Sequence, residues 1–143
     1  MTLKVQAIYT PDLSTPCERP VFVARVPAGF PSPADDYIEG KLDLNQYLIK
    51  HPAATFPVRV TGDSMEGAGI RSGDLLIVDR KLEPKDGSVV IAVLDGELTV
   101  KRLSIRNGKP VLLPDNEKYP PVEVGEECAF EIWGVVTYVI HEL

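Results

Sequence analysis

The stretch SVVIAVLDGELTVKRL, Ser88 to Leu103, predicts a β-hairpin. Two runs of alternating apolar residues flank Asp95-Gly96, a dipeptide that suits a two-residue type I′ turn. Because a two-residue turn fixes the register, the residues that face each other can be counted outward from it. The opposed pairs are Leu94 with Glu97, Ala92 with Thr99, and Val90 with Lys101.

This register places Lys101 in unusual surroundings for a lysine. Val90 and Ala92 across the ladder, and Leu103 two residues along, project from the same side of the sheet as Lys101. A lysine among apolar neighbours is desolvated, and full burial lowers the pKa of an amine by enough to leave it neutral near physiological pH. Lys101 is therefore a candidate general base.

The rest of the chain predicts a mainly β fold. The chain has 143 residues, enough for one domain with a real core, and it contains 13 prolines and 11 glycines among mostly short periodic segments. Strands are expected in FPVRV, DLLIVD, PVLLP and FEIWGVVTYVI, in addition to the hairpin. One short helix is expected after Asp43, which can cap it, with Leu44, Tyr47 and Leu48 on one face before His51-Pro52 ends it.

The first 36 residues differ in composition from the remainder. Prolines recur from Pro11 to Pro33, which excludes a helix and makes a continuous central strand implausible. Residues 1–36 are therefore expected to form an extended, loosely attached N-terminal arm, in which VFVARV is able to pair as an edge strand. Residues 37–143 are expected to form the β-rich domain.

Charge and cysteine content exclude several functions. The net charge of −6 provides no basic face for nucleic acid, so direct sequence-specific DNA binding is not expected. Cys17 and Cys128 belong to no metal-binding or disulfide pattern, so no metal or cofactor is expected. No signal peptide or membrane span is apparent, and we expect a cytoplasmic location.

The segment VTGDSM presents Ser64 as a candidate nucleophile. A serine hydroxyl needs a base to take its proton, and histidine is the usual one. His51 stands at a helix end, and His141 lies near the C-terminus with no acidic residue at a telling spacing, so exposed or capping roles fit both better. A neutral Lys101 is the remaining candidate. Taken alone, Gly-Asp-Ser-Met is an ordinary turn sequence.

The longer pattern resembles a known family. GDSMEGAGIRSGDLLIVD is followed, 37 residues after Ser64, by the LTVKRL segment that holds Lys101. These segments are similar to those of the self-cleaving LexA-like S24 serine peptidases. The resemblance implies a LexA/signal-peptidase-like fold of twisted sheets, with Ser64 as nucleophile and Lys101 as base. We expect backbone N–H groups of Asp63 and Ser64 to stabilise the oxyanion.

The resemblance extends to a cleavage site and to partners. VPAGFPSPADDYIEGKLDLNQYLIKHPAAT supplies Ala28-Gly29 where the family cuts itself, and its continuation is similar to the UmuD-type members. Such members imply cleavage stimulated by the RecA filament on single-stranded DNA. They also imply a truncated homodimer that serves a Y-family, UmuC-like translesion polymerase in the SOS response. The residues before Ala28 are too few and too rich in proline for the helix-turn-helix domain of a LexA-type repressor.

Two alternative functions stay open at this point. The first alternative to the self-cleaving peptidase is a non-enzymatic dimeric scaffold that keeps the fold. The second is the peptidase half of a repressor-like regulator with a separate DNA-binding partner. Intact Ser64 and Lys101 argue against the scaffold. The sequence does not distinguish cutting of the arm by its own subunit from cutting by the dimer mate, because a flexible arm reaches either.

Overall fold

The computed structural model describes residues 2–22, 38–123 and 130–143. The chain divides into two compact units, one formed by residues 1–11 and 51–143 and the other by residues 12–50. The first unit, called the body below, carries most of the strands. No helix among the described residues has the length and apolar character that crossing a membrane requires.

The elements of the described chain are mostly short strands. The strands are β1 (Lys4–Ile8), β2 (Glu18–Phe22), β3 (Ile38–Asp43), β4 (Thr55–Thr61), β5 (Leu75–Asp79), β6 (Val89–Leu94), β7 (Glu97–Arg106), β8 (Lys109–Leu113), β9 (Val122–Glu123) and β10 (Phe130–Ile140). The helices are α1 (Leu44–Leu48) and two 3₁₀ turns, Pro52–Ala54 and Glu66–Ala68. The prediction of a mainly β fold is confirmed.

The body is one antiparallel sheet in the order β1-β4-β5-β10-β6-β7-β8-β9. A further pairing of Lys4 on β1 with Thr99 on β7 joins the first strand to the sixth in this order. These six strands therefore close into a barrel, and β8 and β9 extend the sheet beyond it. Closure removes the exposed edges that β1 and β7 would otherwise present there.

The hairpin has the register that its turn predicted. Asp95 and Gly96 both have positive φ, 48° and 82°, as a type I′ turn requires. Leu94 pairs with Glu97, Ala92 with Thr99, and Val90 with Lys101. The strands expected from FPVRV, DLLIVD, PVLLP and FEIWGVVTYVI are β4, β5, β8 and β10, so these predictions are confirmed as well.

The apolar core of the body consists of two clusters, which take alternate residues of β6 and therefore lie on opposite faces of the sheet. One buried cluster joins residues of β4, β5, β6 and β7 to Leu3, Met65 and Ile70, all of them at most 1% exposed. A second contains Val90, Ala92, Leu103, Leu112 and Val135. The second cluster contains the three apolar residues that the sequence placed on the face of Lys101.

The smaller unit, residues 12–50, pairs β2 with β3 and continues into α1. Asp43 caps this helix, as predicted, because its side chain accepts hydrogen bonds from the backbone N–H groups of Asn45 and Gln46 at 2.9 and 3.4 Å. The edge strand expected in VFVARV is described only to Phe22, within β2. Residues 23–37, including Ala28 and Gly29, lie outside the described residues, so the cleavage bond and the division near residue 36 stay predictions.

The expectation of loose attachment is wrong for the first residues of the chain. β1 pairs with β4 and β7, and Leu3 just before it is fully buried. The prolines on which the expectation rested begin only at Pro11. Residues 4–8 alternate partly buried and exposed side chains and are free to join the sheet.

Candidate active site

Ser64 lies on the loop that follows β4. Two residues of this loop, Met65 and Ile70, are buried in the core, and the N–H of Ile70 donates to the carbonyl of Met65 at 3.2 Å. The 3₁₀ turn at Glu66–Ala68 lies between them. The loop is therefore anchored by apolar side chains on both sides of a tight turn, and these anchors fix the backbone next to Ser64.

The Ser64 side chain is fully buried. Its Oγ accepts a hydrogen bond of 2.8 Å from the backbone N–H of Leu3. Leu3 in turn is tied to β7, because its carbonyl accepts from Thr99 Oγ1 at 2.9 Å and from Val100 N at 3.3 Å. Leu3, the residue just before β1, thus connects the Ser64 hydroxyl to the strand that carries Lys101.

Lys101 is buried as the hairpin register predicted. It lies on β7 opposite Val90, and only 4% of it is exposed. Within the described part of the chain, the ammonium group has no ion pair or hydrogen bond. Burial lowers the pKa of Lys101 below its ordinary value of 10.5, because the charged form loses its hydration without a compensating carboxylate. Such a lysine is suited to accept a proton.

A second connection joins the Ser64 loop to β7 through Asp115. The carbonyl of Ser64 accepts from the N–H of Asp115 at 2.8 Å, and the Asp115 carbonyl accepts from Gly67 N at 2.6 Å. One carboxylate oxygen of Asp115, Oδ2, accepts hydrogen bonds from both Nε and Nη2 of Arg102, at 3.1 and 2.7 Å. Because Arg102 directly follows Lys101, this charge-assisted pair holds the nucleophile loop against the strand of the lysine.

Asp63 is held by two residues that follow Asp115 closely in the chain. Its carbonyl accepts a hydrogen bond from Asn116 Nδ2 at 2.9 Å, and its carboxylate accepts one from the hydroxyl of Tyr119. These contacts fix the backbone on either side of the Asp63-Ser64 peptide. Asp115 and Tyr119 were not predicted from the sequence, since nothing in the segment LLPDNEKY signals contact with a loop 50 residues earlier, and Arg102 was not predicted because its partner Asp115 was not.

The two histidines contact aspartates at the two ends of β5. Nδ1 of His51 lies 2.5 Å from a carboxylate oxygen of Asp79, and Nδ1 of His141 lies 2.5 Å from one of Asp74. Both carboxylates are nearly buried, and each also accepts a nearby backbone N–H. The fold thus supplies each histidine with an aspartate that is distant in sequence. Neither histidine hydrogen-bonds Ser64, which leaves Lys101 as the candidate base.

No metal site accompanies Ser64 and Lys101 in the described ranges, where no group of three or more His, Cys, Asp or Glu side chains is placed to hold an ion. The candidate site therefore consists of a buried hydroxyl, a buried amine without a counter-ion, and two hydrogen-bonded connections between their elements. This set of groups is suited to acyl transfer by a serine nucleophile with a lysine base.

Comparison with known proteins agrees with this chemistry. Residues 20–137 match the family described as Peptidase S24-like. The chain is 53% identical over 123 residues to protein SamA of Salmonella typhimurium, covering 86% of this chain and 85% of SamA. It is 52% identical over 125 residues to protein ImpA of Escherichia coli, covering 86% and 83%. Protein MucA of Escherichia coli is 41% identical over 141 residues, covering 98% and 96%.

Proposed function

Because the chain belongs to the S24-like peptidase family, as a serine peptidase of the UmuD type, we propose that it cuts its own Ala28-Gly29 bond with Ser64 and Lys101. The observation that carries the proposal is the burial of Lys101 without a carboxylate partner among the described residues. Lowering the pKa of an amine raises the fraction that is neutral at a given pH, and only the neutral amine accepts the proton of a serine hydroxyl.

The reaction follows from the two groups. Neutral Nζ of Lys101 takes the proton of Ser64 as Oγ attacks the carbonyl carbon of Ala28, with the backbone N–H groups of Asp63 and Ser64 as proposed donors to the oxyanion. The C–N bond to Gly29 then breaks, and the leaving amine receives the proton from Lys101. Water hydrolyses the resulting ester, which frees residues 1–28 and regenerates the Ser64 hydroxyl.

A tethered substrate explains how a modest catalyst suffices. The scissile bond is part of the same chain, so its effective concentration at the site is high and no general substrate pocket is needed. Ala28 has only a methyl side chain and Gly29 has none, which permits close approach of a buried nucleophile. The proposal therefore limits the substrate to this chain or a second copy of it.

The proposed biological role rests on the resemblance to UmuD-type proteins. In that role the arm has a cleavage-competent position and other positions. The RecA filament on single-stranded DNA shifts the population of chains towards the cleavage-competent one. The cut chain then acts as a homodimeric, cytoplasmic accessory subunit of a UmuC-like Y-family polymerase in the SOS response. The net charge of −6 supports an indirect role at DNA through such partners.

Alkaline incubation of the purified chain tests the peptidase proposal without RecA. At about pH 9 to 10, where a larger fraction of Lys101 is neutral than at pH 7, we expect a cut after Ala28, identified by the mass of residues 29–143. Ser64→Ala and Lys101→Arg should abolish the cut, since arginine keeps the charge but does not give up its proton. Ser104→Ala and Lys81→Arg are matched controls that should cut normally.

Two results would contradict the proposal in different ways. A parent chain that stays intact after long incubation would exclude self-cleavage, and cleavage retained in Lys101→Arg would exclude Lys101 as the base.

Mixing Ser64→Ala chains with chains whose Ala28-Gly29 bond is blocked shows whether cutting also occurs in trans. Recovery of the cut form from damaged cells with a polymerase, and not with a DNA-binding protein, separates the accessory role from a repressor-like regulator.

A further inference from the structure

β1 occupies a slot between β4 and β7 in the body. Val5 on β1 lies opposite Val60 on β4, while Lys4 lies opposite Thr99 on β7. Leu3 is fully buried and belongs to the same apolar cluster as Met65 of the Ser64 loop. The segment of residues 2–8 is thus held by backbone pairing on both sides and by one deeply buried leucine side chain. These are the features of a strand-binding site.

The slot is shaped for a peptide backbone at Gly62. This glycine has a φ of 116°, and a Cβ atom there would lie 2.5 Å from the carbonyl oxygen of Thr2 and 2.8 Å from Cα of Leu3. Distances this short are sterically forbidden, so any side chain at this position would push the segment out. Gly62 lies two residues before Ser64, and the close approach it permits brings the segment to the nucleophile.

The seated segment and a scissile bond exclude each other at Ser64. Nucleophilic attack requires a carbonyl carbon about 3 to 3.5 Å from the serine oxygen. The backbone nitrogen of Leu3 already lies 2.8 Å from Oγ, and the serine side chain is fully buried. A second peptide has no access to Oγ until the Leu3 N–H leaves it.

We propose that this slot is a binding site for an extended peptide with a leucine-sized side chain, and that residues 2–8 are its resident ligand. The segment that carries Ala28-Gly29 then reaches Ser64 only when residues 2–8 leave the slot. This inference rests on the proposed self-cleavage. The cleavage rate is proportional to the fraction of chains with an empty slot, so weakening the resident ligand raises the rate by the same factor as that fraction.

A pair of matched substitutions tests the competition. Leu3→Asp places a carboxylate without a partner in the apolar cluster, which expels the segment because burial of an unpaired charge is strongly unfavourable. Gln6→Asp adds the same charge to the same strand at an exposed position. We expect Leu3→Asp to cut itself at least about tenfold faster than Gln6→Asp at equal pH, a difference of about 1.4 kcal/mol.

Adding the seven-residue peptide TLKVQAI, which corresponds to Thr2 to Ile8, refills the slot of Leu3→Asp. Cleavage should slow as this peptide is added, while the peptide TDKVQAI should have no effect. Equal rates for Leu3→Asp and Gln6→Asp, with both chains folded by circular dichroism, would overturn the inference. Faster cleavage that TLKVQAI does not suppress would also count against it.

A reversible cross-link covers the case in which Leu3→Asp does not fold. Lys4→Cys and Thr99→Cys place two thiols at positions that pair across β1 and β7, in a chain that also carries Cys17→Ser and Cys128→Ser. We expect the oxidised chain to resist cleavage at alkaline pH. The reduced chain should cut at least as fast as the chain without the two new cysteines, because Thr99→Cys also removes the hydrogen bond from Thr99 Oγ1 to the carbonyl of Leu3. Equal cleavage of the oxidised and reduced chains would refute the competition.

The same cross-link separates this inference from the proposed self-cleavage. A parent chain that never cuts itself contradicts the peptidase proposal alone. Whether residues 2–8 occupy the slot is then tested by disulfide formation. Rapid formation of the bond in Lys4→Cys, Thr99→Cys, and none in a chain with Lys4→Cys and the exposed Lys81→Cys, supports seating of residues 2–8. Failure of the first pair to form a disulfide contradicts it.

Discussion

Replacement of Lys101 by methionine should inactivate the site and stabilise the fold. Lys101 is 4% exposed, and burial without a carboxylate lowers the pKa of its amine. Methionine has a similar length and no charge to desolvate. Replacing a buried ion pair with apolar residues is neutral or gains up to about 4 kcal/mol in other proteins, and a lone buried ammonium has no partner that offsets its desolvation. We therefore expect Lys101→Met to raise the free energy of unfolding at pH 7 by about 1 to 4 kcal/mol.

The pH dependence of this gain has a definite sign. Because the pKa of Lys101 is lower in the folded chain than its ordinary value of 10.5, the unfolded chain binds one more proton between the two values. The stability of the parent therefore rises with pH across that window, by up to about 1.36 kcal/mol per pH unit. Below the lowered pKa, both states are protonated and the advantage of Lys101→Met is constant. It shrinks as the pH rises towards 10.5.

Urea denaturation of the two chains from about pH 6 to 10.5 measures this difference, in a Ser64→Ala background that prevents self-cleavage. Lys81→Met, at an exposed lysine, is the matched control and should change stability equally at every pH. A parent more stable than Lys101→Met at pH 7, or a difference that does not vary with pH, would refute the assignment of Lys101 as a desolvated amine.

Three further substitutions test other contacts of the structure. Gly134→Ala should lower the free energy of unfolding by about 1 to 3 kcal/mol, measured by chemical denaturation, because a Cβ there would lie 2.6 Å from Cγ1 of Val78. Arg102→Met should slow alkaline self-cleavage about 10- to 100-fold and leave the circular dichroism spectrum unchanged, because it releases Asp115 and with it the Ser64 loop. Adding Asp115→Asn to this variant should slow cleavage little further. Losses that add up in the double variant would contradict a shared contact. Asp43→Ala should cost about 1 kcal/mol of helix stability and speed amide hydrogen exchange in α1, and unchanged exchange would exclude its capping role.

The site was partly predictable because one local turn fixes a register. Asp95-Gly96 admits few backbone geometries, so the position of Lys101 opposite Val90 follows from counting residues. Its apolar surroundings follow from the alternation of side chains across the sheet. The pairing of Ser64 with Lys101 and the bond at Ala28 came from resemblance and stay proposals.

The sequence by itself determined the elements whose partners are close along the chain: the hairpin, the Asp43 cap of α1, and the apolar face around Lys101. Tertiary structure alone decided the contacts that join distant segments. β1 has no local signal for its partners, because Thr61 and Thr99 become its neighbours only when the barrel closes. The hydrogen bond from Leu3 to Ser64 spans 61 residues and depends on that closure, and no pattern of residue types within either segment specifies it.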